Sequence, residues 1–106
     1  MTGAYSFICS ESSTDALCAH LNAESGLRWH LGDSYWYGDY VACRPFEGVR
    51  IRIVDFPGLA KTGYRYEADV RIGDTCTTPM SAIDEAFRAA LAQIGAHSVE
   101  EIEPFD

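Results

Sequence analysis

The sequence predicts an α+β fold in which a four- to five-stranded antiparallel sheet packs against two helices. Two segments alternate apolar and polar residues with the period of a strand, and a later segment carries apolar residues at helical spacing. A length of 106 residues with 47% hydrophobic content can bury one core. We therefore expect a single domain over residues 1–106, with elements in the order β-α-β-β-β-β-α.

The N-terminal part of the chain predicts a strand followed by a helix. Residues 4–9 are mostly apolar and indicate the first strand. Ser13 or Thr14 can accept a hydrogen bond from a first helical turn, so a helix should begin there and continue to about residue 24. Gly26 then suits the left-handed conformation that ends many helices.

Two strands are predicted in residues 27–31 and 35–43, joined by a turn at residues 32–34. In the second strand, the face that includes Asp39 would have to bury a carboxylate without an evident partner. The residues expected to face the core are therefore Trp36, Tyr40 and Ala42. The residues expected to face solvent are Tyr35, Tyr37 and Asp39. A bulge at Gly38 would reverse this assignment beyond that point.

The strongest alternation of apolar and charged residues lies in residues 64–72, and residues 49–53 show the same pattern. A hairpin that pairs Ile51 with Ala68 matches both faces of the two strands. The loop between them contains proline and glycine. In this register each arginine of residues 49–53 lies opposite a carboxylate, so these arginines are only weak evidence for an anion site.

The C-terminal part predicts a helix that Thr78 caps, with Pro79 at its first position and Gly95 at its end. Its apolar stripe consists of Ile83, Phe87, Ala90, Leu91 and Ile94. Residues 97–106 follow as an acidic tail.

The charge balance restricts the possible partners. Sixteen acidic and eight basic residues give a formal net charge of −8, and ten of the acids lie in residues 54–106. Such a field repels nucleic acids and anionic membrane surfaces, and it attracts basic proteins. We therefore expect a basic protein partner, with no binding to nucleic acid or membrane.

The sequence also predicts a cytoplasmic protein. The N-terminal residues lack the basic start and apolar run of a signal peptide, and no apolar stretch approaches the roughly 18 residues of a membrane span. The four cysteines, Cys9, Cys18, Cys43 and Cys76, are then expected to be reduced.

No motif for a metal, cofactor or phosphate loop is present, and we expect none of these ligands. One alternative is a cysteine enzyme that uses Cys76, which lies just before the last helix where a thiol could be activated. Nothing in the sequence brings a histidine close to Cys76, so the favoured expectation is that the protein is not an enzyme.

The stretch DSYWYGDY, residues 33–40, combines aromatic and acidic residues that could contact a basic partner. The predicted partner-binding residues are Asp33, Tyr35, Tyr37 and Asp39. The opposing interpretation is that these are ordinary strand residues, since aromatic side chains favour strands. The first alternative function, ahead of the cysteine enzyme, is a small regulatory or ligand-binding domain with a pocket lined by Trp29, Trp36 and Tyr66.

The chain resembles the small acidic immunity proteins of bacterial toxin systems, including those of contact-dependent growth inhibition. The resemblance rests on its size, its acidic charge and the arrangement of Asp33, Tyr35, Tyr37 and Asp39. This resemblance implies an antitoxin that covers the basic active-site cleft of a toxin, commonly a nuclease. It matches no family motif and transfers no residue roles.

Overall fold

The protein is described by a computed structural model covering residues 2–35, 38–60 and 63–103. Its elements are β1 (Thr2–Cys9), α1 (Thr14–Glu24), β2 (Trp29–Ser34), β3 (Gly38–Cys43), β4 (Val49–Ala60), β5 (Gly63–Ile72), α2 (Met80–Gln93) and β6 (His97–Glu101). The predicted α+β class, with two helices and an antiparallel sheet, is confirmed. Within the described residues the sheet has six strands, so the prediction of four to five is wrong.

The additional strand lies in the segment that we expected to form an acidic tail. Residues 97–101 pair antiparallel with β1, with Tyr5 opposite Glu101 and Ile8 opposite His97. Four of its five side chains are exposed, and Val99 alone is partly buried against the core. A polar strand at a sheet edge gives little alternation of apolar and polar residues, which is why its sequence resembles a tail.

The strands are arranged in the order β2-β3-β4-β5-β1-β6, and every neighbouring pair is antiparallel. The first strand of the chain is therefore inserted between β5 and β6. The β2–β3 hairpin lies at one edge of the sheet, with β2 as the edge strand.

Both helices begin close to their predicted positions. The Ser13 hydroxyl accepts a hydrogen bond from the Ala16 backbone nitrogen at 3.1 Å, so Ser13 caps α1. The N-cap position of α2 is Pro79, one residue later than the predicted cap. Gly95 has a φ of 74° just beyond α2, as expected for a helix end. Neither helix within the described residues has the length and apolar character needed to cross a membrane.

The core lies between the helices and one face of the sheet. Leu17 and Leu21 of α1 and Phe87 of α2 are fully buried there. The ring centroid of Phe87 lies 5.0 Å from that of Tyr5. The buried strand residues on this face include Phe7, Trp29, Val41, Cys43, Val49, Ile51, Ile53, Tyr66, Ala68 and Val70.

The predicted β4–β5 register is wrong by two residues, although the predicted faces are correct. Ile51 pairs with Val70, and Ile53 pairs with Ala68. A shift by two residues leaves every side chain on its own face, so alternation alone does not distinguish the two registers. The strands also extend through most of the predicted loop, as far as Ala60 and Gly63, with an irregularity between Asp55 and Leu59.

The predicted faces of β3, in contrast, are reversed. Val41 and Cys43 point into the core, whereas Ala42 and the partly buried Tyr40 lie on the face without helices. Asp39 shares the face of Val41 and is nevertheless exposed, because it lies at the end of the strand beside the first turn of α1. This face therefore packs against the core without burying the Asp39 carboxylate, contrary to the prediction. Trp36 and Tyr37 lie outside the described residues.

The helix-free face of the sheet carries a buried ion pair. Arg52 donates to Asp69 from Nε at 3.1 Å and from Nη2 at 3.2 Å, and the two residues are only 9% and 2% exposed. The Arg71 Nε donates to the same carboxylate at 3.4 Å. The ring of Tyr40 lies 6.0 Å from the Arg52 guanidinium. Side chains on the helix-free face are thus also packed against one another and partly shielded from solvent.

Candidate partner-binding surface

The predicted binding residues lie at the end of the β2–β3 hairpin. Asp33 is directly opposite Asp39 in the ladder, and Ser34 is opposite Gly38. Gly38 has a φ of 72°, a left-handed conformation that glycine adopts without strain. Both aspartates are exposed. The fold therefore brings these two carboxylates together on one face, as cross-strand neighbours.

This hairpin also exposes large apolar side chains. Tyr35 is 93% exposed, which confirms that it faces solvent, and Leu31 is 48% exposed. Among the residues whose side chains the structure describes, these are the large hydrophobic residues that remain exposed. The other large hydrophobic side chains that the structure describes are buried or partly buried, so the exposed ones are concentrated on this hairpin.

A third carboxylate approaches from the first helix. Asp15 in the first turn of α1 lines an open depression of about 350 Å³ together with Leu31, Gly32, Asp33 and Asp39. We call Asp15, Leu31, Asp33, Tyr35 and Asp39 the acidic hairpin surface. Sequence reasoning missed Asp15 and Leu31. The exposed position of Leu31 follows from the edge of the sheet, and Asp15 joins only through tertiary packing.

The acidic hairpin surface is not neutralised within the described part of the chain. No described Lys, Arg or His forms an ion pair with Asp15, Asp33 or Asp39. Nor do three His, Cys, Asp or Glu side chains come together as metal ligands anywhere in residues 2–35, 38–60 and 63–103. The surface therefore presents negative charge and apolar area to solvent.

The base of the hairpin is held firmly against α1. The Asn22 side chain accepts from the Trp29 backbone nitrogen at 2.6 Å and donates to the Trp29 carbonyl at 2.9 Å. The Trp29 indole nitrogen donates to the Ser25 hydroxyl at 2.9 Å. β2 therefore begins at a buried tryptophan whose backbone and indole groups are hydrogen-bonded to Asn22 and Ser25. These bonds fix the start of the hairpin against α1.

The aromatic residues of the alternative ligand pocket are used for packing. Trp29 and Tyr66 are buried in the core, and the Tyr66 hydroxyl donates to the Glu11 carbonyl at 2.8 Å. Neither lines the depression beside Asp15 and Leu31. The third residue of that prediction, Trp36, lies outside the described residues.

Cys76 lies in the loop before α2, as predicted, and is partly buried. Its Sγ donates to the Thr78 carbonyl at 3.5 Å. Of the histidines, His20 contacts Glu11 at 2.6 Å and His97 contacts Ser98 at 3.1 Å. None of the hydrogen bonds in the described part of the chain joins Cys76 to a histidine, so the structure adds no support for an activated thiol.

Comparison of the chain with models of known protein families finds no match, and comparison with curated proteins finds none either.

Proposed function

We propose that this chain is a cytoplasmic immunity protein that binds a cognate basic toxin through the acidic hairpin surface and occludes its active site. The toxin would be a nuclease of a bacterial system such as contact-dependent growth inhibition. The observation that carries the proposal is the coincidence of exposed Leu31 and Tyr35 with the opposed carboxylates Asp33 and Asp39.

The chemistry of this surface suits the active-site groove of a nuclease. Such a groove binds phosphates, so it is lined by cations that carboxylates can pair with. Leu31 and Tyr35 would supply the apolar contact at the centre of the interface, where aromatic residues often contribute most of the binding energy. The negative charge would accelerate encounter with a basic partner. Occlusion requires no catalytic group from this chain.

The opposed carboxylates also suggest selection for binding in preference to stability. Like charges directly across an antiparallel pair destabilise it, typically by a few tenths of a kcal/mol. We therefore expect Asp39→Asn to raise the free energy of unfolding by about 0.2–1 kcal/mol in urea titrations. A lower stability for Asp39→Asn would contradict this interpretation.

The proposal is tested with the wild-type chain and the double variant Asp33→Asn/Asp39→Asn as baits in lysate of the source organism. Proteins recovered by the wild type are identified by mass spectrometry, purified and assayed for nuclease activity with and without this chain. The expected result is a basic nuclease that the wild type inhibits. Loss of two charge-assisted contacts should weaken its binding by at least about 100-fold.

The matched control is Glu85→Gln/Glu100→Gln, which makes the same change in net charge at two exposed positions outside the hairpin. This control should bind the partner within a few fold of wild type. Tyr35→Ala should weaken binding about 30-fold while leaving stability nearly unchanged, because its side chain is exposed. Equal weakening by both charge variants would show that only net charge matters and would reject the hairpin as the contact surface.

A further inference from the structure

A second group of like charges lies at the opposite end of β3. Arg50 of β4 is directly across from Arg71 of β5. Arg44, one residue beyond β3, joins them around a depression of about 270 Å³ that Gly48, Val49 and Gly73 also line. We call this site the arginine pocket. Arg44 lies five positions after Asp39, about 17 Å along an extended strand, so the pocket is distinct from the acidic hairpin surface.

The nearby carboxylates do not neutralise the pocket. Asp69 already accepts two hydrogen bonds from Arg52 as well as one from Arg71. Glu47 and Asp74 lie in the adjoining loops, are exposed, and form no ion pair with Arg44 or Arg50 in the described part of the chain. Three guanidinium groups thus share little compensating charge in a protein whose net charge is −8.

One of these arginines has an unused donor. The Nε of Arg50 is buried and has no hydrogen-bond partner among the described residues. A buried N–H without an acceptor is unfavourable, and more so on a charged group. Like charges placed directly across two strands add a further unfavourable term. An anion bound between these guanidinium groups would offset the repulsion between them.

The wall of the pocket is formed by two closely packed loops. The Gly73 backbone nitrogen donates to the Gly48 carbonyl at 2.7 Å. A β-carbon on Gly48, which has a φ of 77°, would lie 2.6 Å from the Cys76 backbone nitrogen. Only glycine permits this approach of the β3–β4 loop to the β5–α2 loop. The pocket is therefore formed before any ligand arrives.

We propose that the arginine pocket binds a small ligand through a phosphoryl group, as free phosphate or as a phosphomonoester. The planar guanidinium donates paired hydrogen bonds to phosphate oxygens. A phosphate with close to two negative charges balances three arginines better than a single carboxylate does. The volume of about 270 Å³ equals that of about nine waters and leaves room for a small ester group. A nucleic acid does not fit this charge pattern, because the surrounding acidic protein repels a polyanion.

The test is isothermal titration of the purified chain with inorganic phosphate and, separately, with glycerol 3-phosphate, at constant ionic strength set with sodium chloride. Saturable binding of either probe is expected, and the stronger of the two identifies the source of the phosphoryl group. Arg50→Gln and Arg71→Gln should each weaken the binding about ten- to a hundredfold. Arg71 is half exposed, so its variant tests the site even if Arg50→Gln fails to fold.

The matched control is Arg65→Gln, which removes the same charge from the strand of Arg71 at a distance of about 20 Å. Its affinity for the probes should stay within twofold of wild type. Absence of saturable binding for both probes would overturn the proposal. So would equal weakening by Arg65→Gln and the pocket variants, since that result indicates general attraction of anions.

Discussion

Replacement of Asp69 by asparagine should destabilise the protein strongly, because this carboxylate is the shared acceptor of the helix-free face. It is 2% exposed and accepts from Arg52 at 3.1 and 3.2 Å and from Arg71 at 3.4 Å. Asparagine keeps the shape of the side chain and loses its charge, and one of its terminal atoms becomes a donor facing a guanidinium. Arg52, itself 9% exposed, would then lose the carboxylate that it contacts at 3.1 and 3.2 Å.

The size of the effect follows from the geometry. Removing one partner of a buried ion pair costs about 3–5 kcal/mol. We expect about 3 kcal/mol, the lower end, because Arg71 is half exposed and contributes little. A small domain is stable by only about 5–15 kcal/mol. With a urea dependence of about 1–3 kcal/mol per molar, the unfolding midpoint should fall by about 1–3 M.

The assay is urea unfolding followed by circular dichroism, with two comparison variants. Glu67→Gln, two residues earlier on the same face of β5, breaks only the 3.9 Å contact with Arg65 and should cost less than about 1 kcal/mol. Arg52→Met/Asp69→Leu removes both charges and should cost less than Asp69→Asn alone. A loss below about 1 kcal/mol for Asp69→Asn, or one equal to that of Glu67→Gln, would refute the reasoning.

Three further predictions concern the core and the helix-free face. In the native protein Cys76 should react with a thiol reagent much faster than the buried cysteines, since burial raises the pKa of the Cys43 thiol to about 11, and unfolding should abolish the difference. Burial raises the pKa of Tyr66, so its contribution to stability is complete below about pH 10 and is lost at higher pH. As the pH is raised from about 9 to about 11, the free energy of unfolding in urea should therefore fall less for Tyr66→Phe than for wild type. Gly32→Ala should cost about 1–3 kcal/mol in the same assay, because a β-carbon there overlaps the Tyr40 ring, whereas Gly73→Ala should be nearly neutral.

Local patterns in the sequence were sufficient to predict most of the secondary structure. Alternation identified β5, and the cap at Ser13 identified the start of α1, because both signals come from neighbouring residues. The sixth strand could not be recognised in the same way. Its exposed residues carry almost no apolar pattern, and it forms by pairing with β1 at the other end of the chain.

The positions of side chains relative to the core were harder to predict. The carboxylate of Asp39 predicts a solvent-facing side for its whole strand face, yet the same face buries Val41. Asp39 lies near the end of the strand beside the first turn of α1, and sequence alone does not reveal where a strand ends relative to a helix. The arginine pocket was missed because of the register error. The predicted register pairs Arg50 with a carboxylate, whereas the observed register pairs it with Arg71.

The acidic hairpin surface was predicted only in part. Asp33, Tyr35 and Asp39 are exposed as expected, and Tyr37 lies outside the described residues. Asp15 comes from a distant segment, and no pattern near residues 33–40 indicates it. Its contribution depends on the packing of α1 against β2 and β3, which only the three-dimensional structure provides.

The most direct test of the proposed interaction is the salt dependence of the association rate with the basic partner, measured by stopped-flow fluorescence. If the hairpin carboxylates attract the partner, the wild-type rate constant should fall steeply between low and physiological salt. Asp33→Asn/Asp39→Asn should associate more slowly at low salt and show a shallower dependence, while Glu85→Gln/Glu100→Gln should follow the wild type. Identical salt dependence for wild type and the hairpin variant would contradict the account.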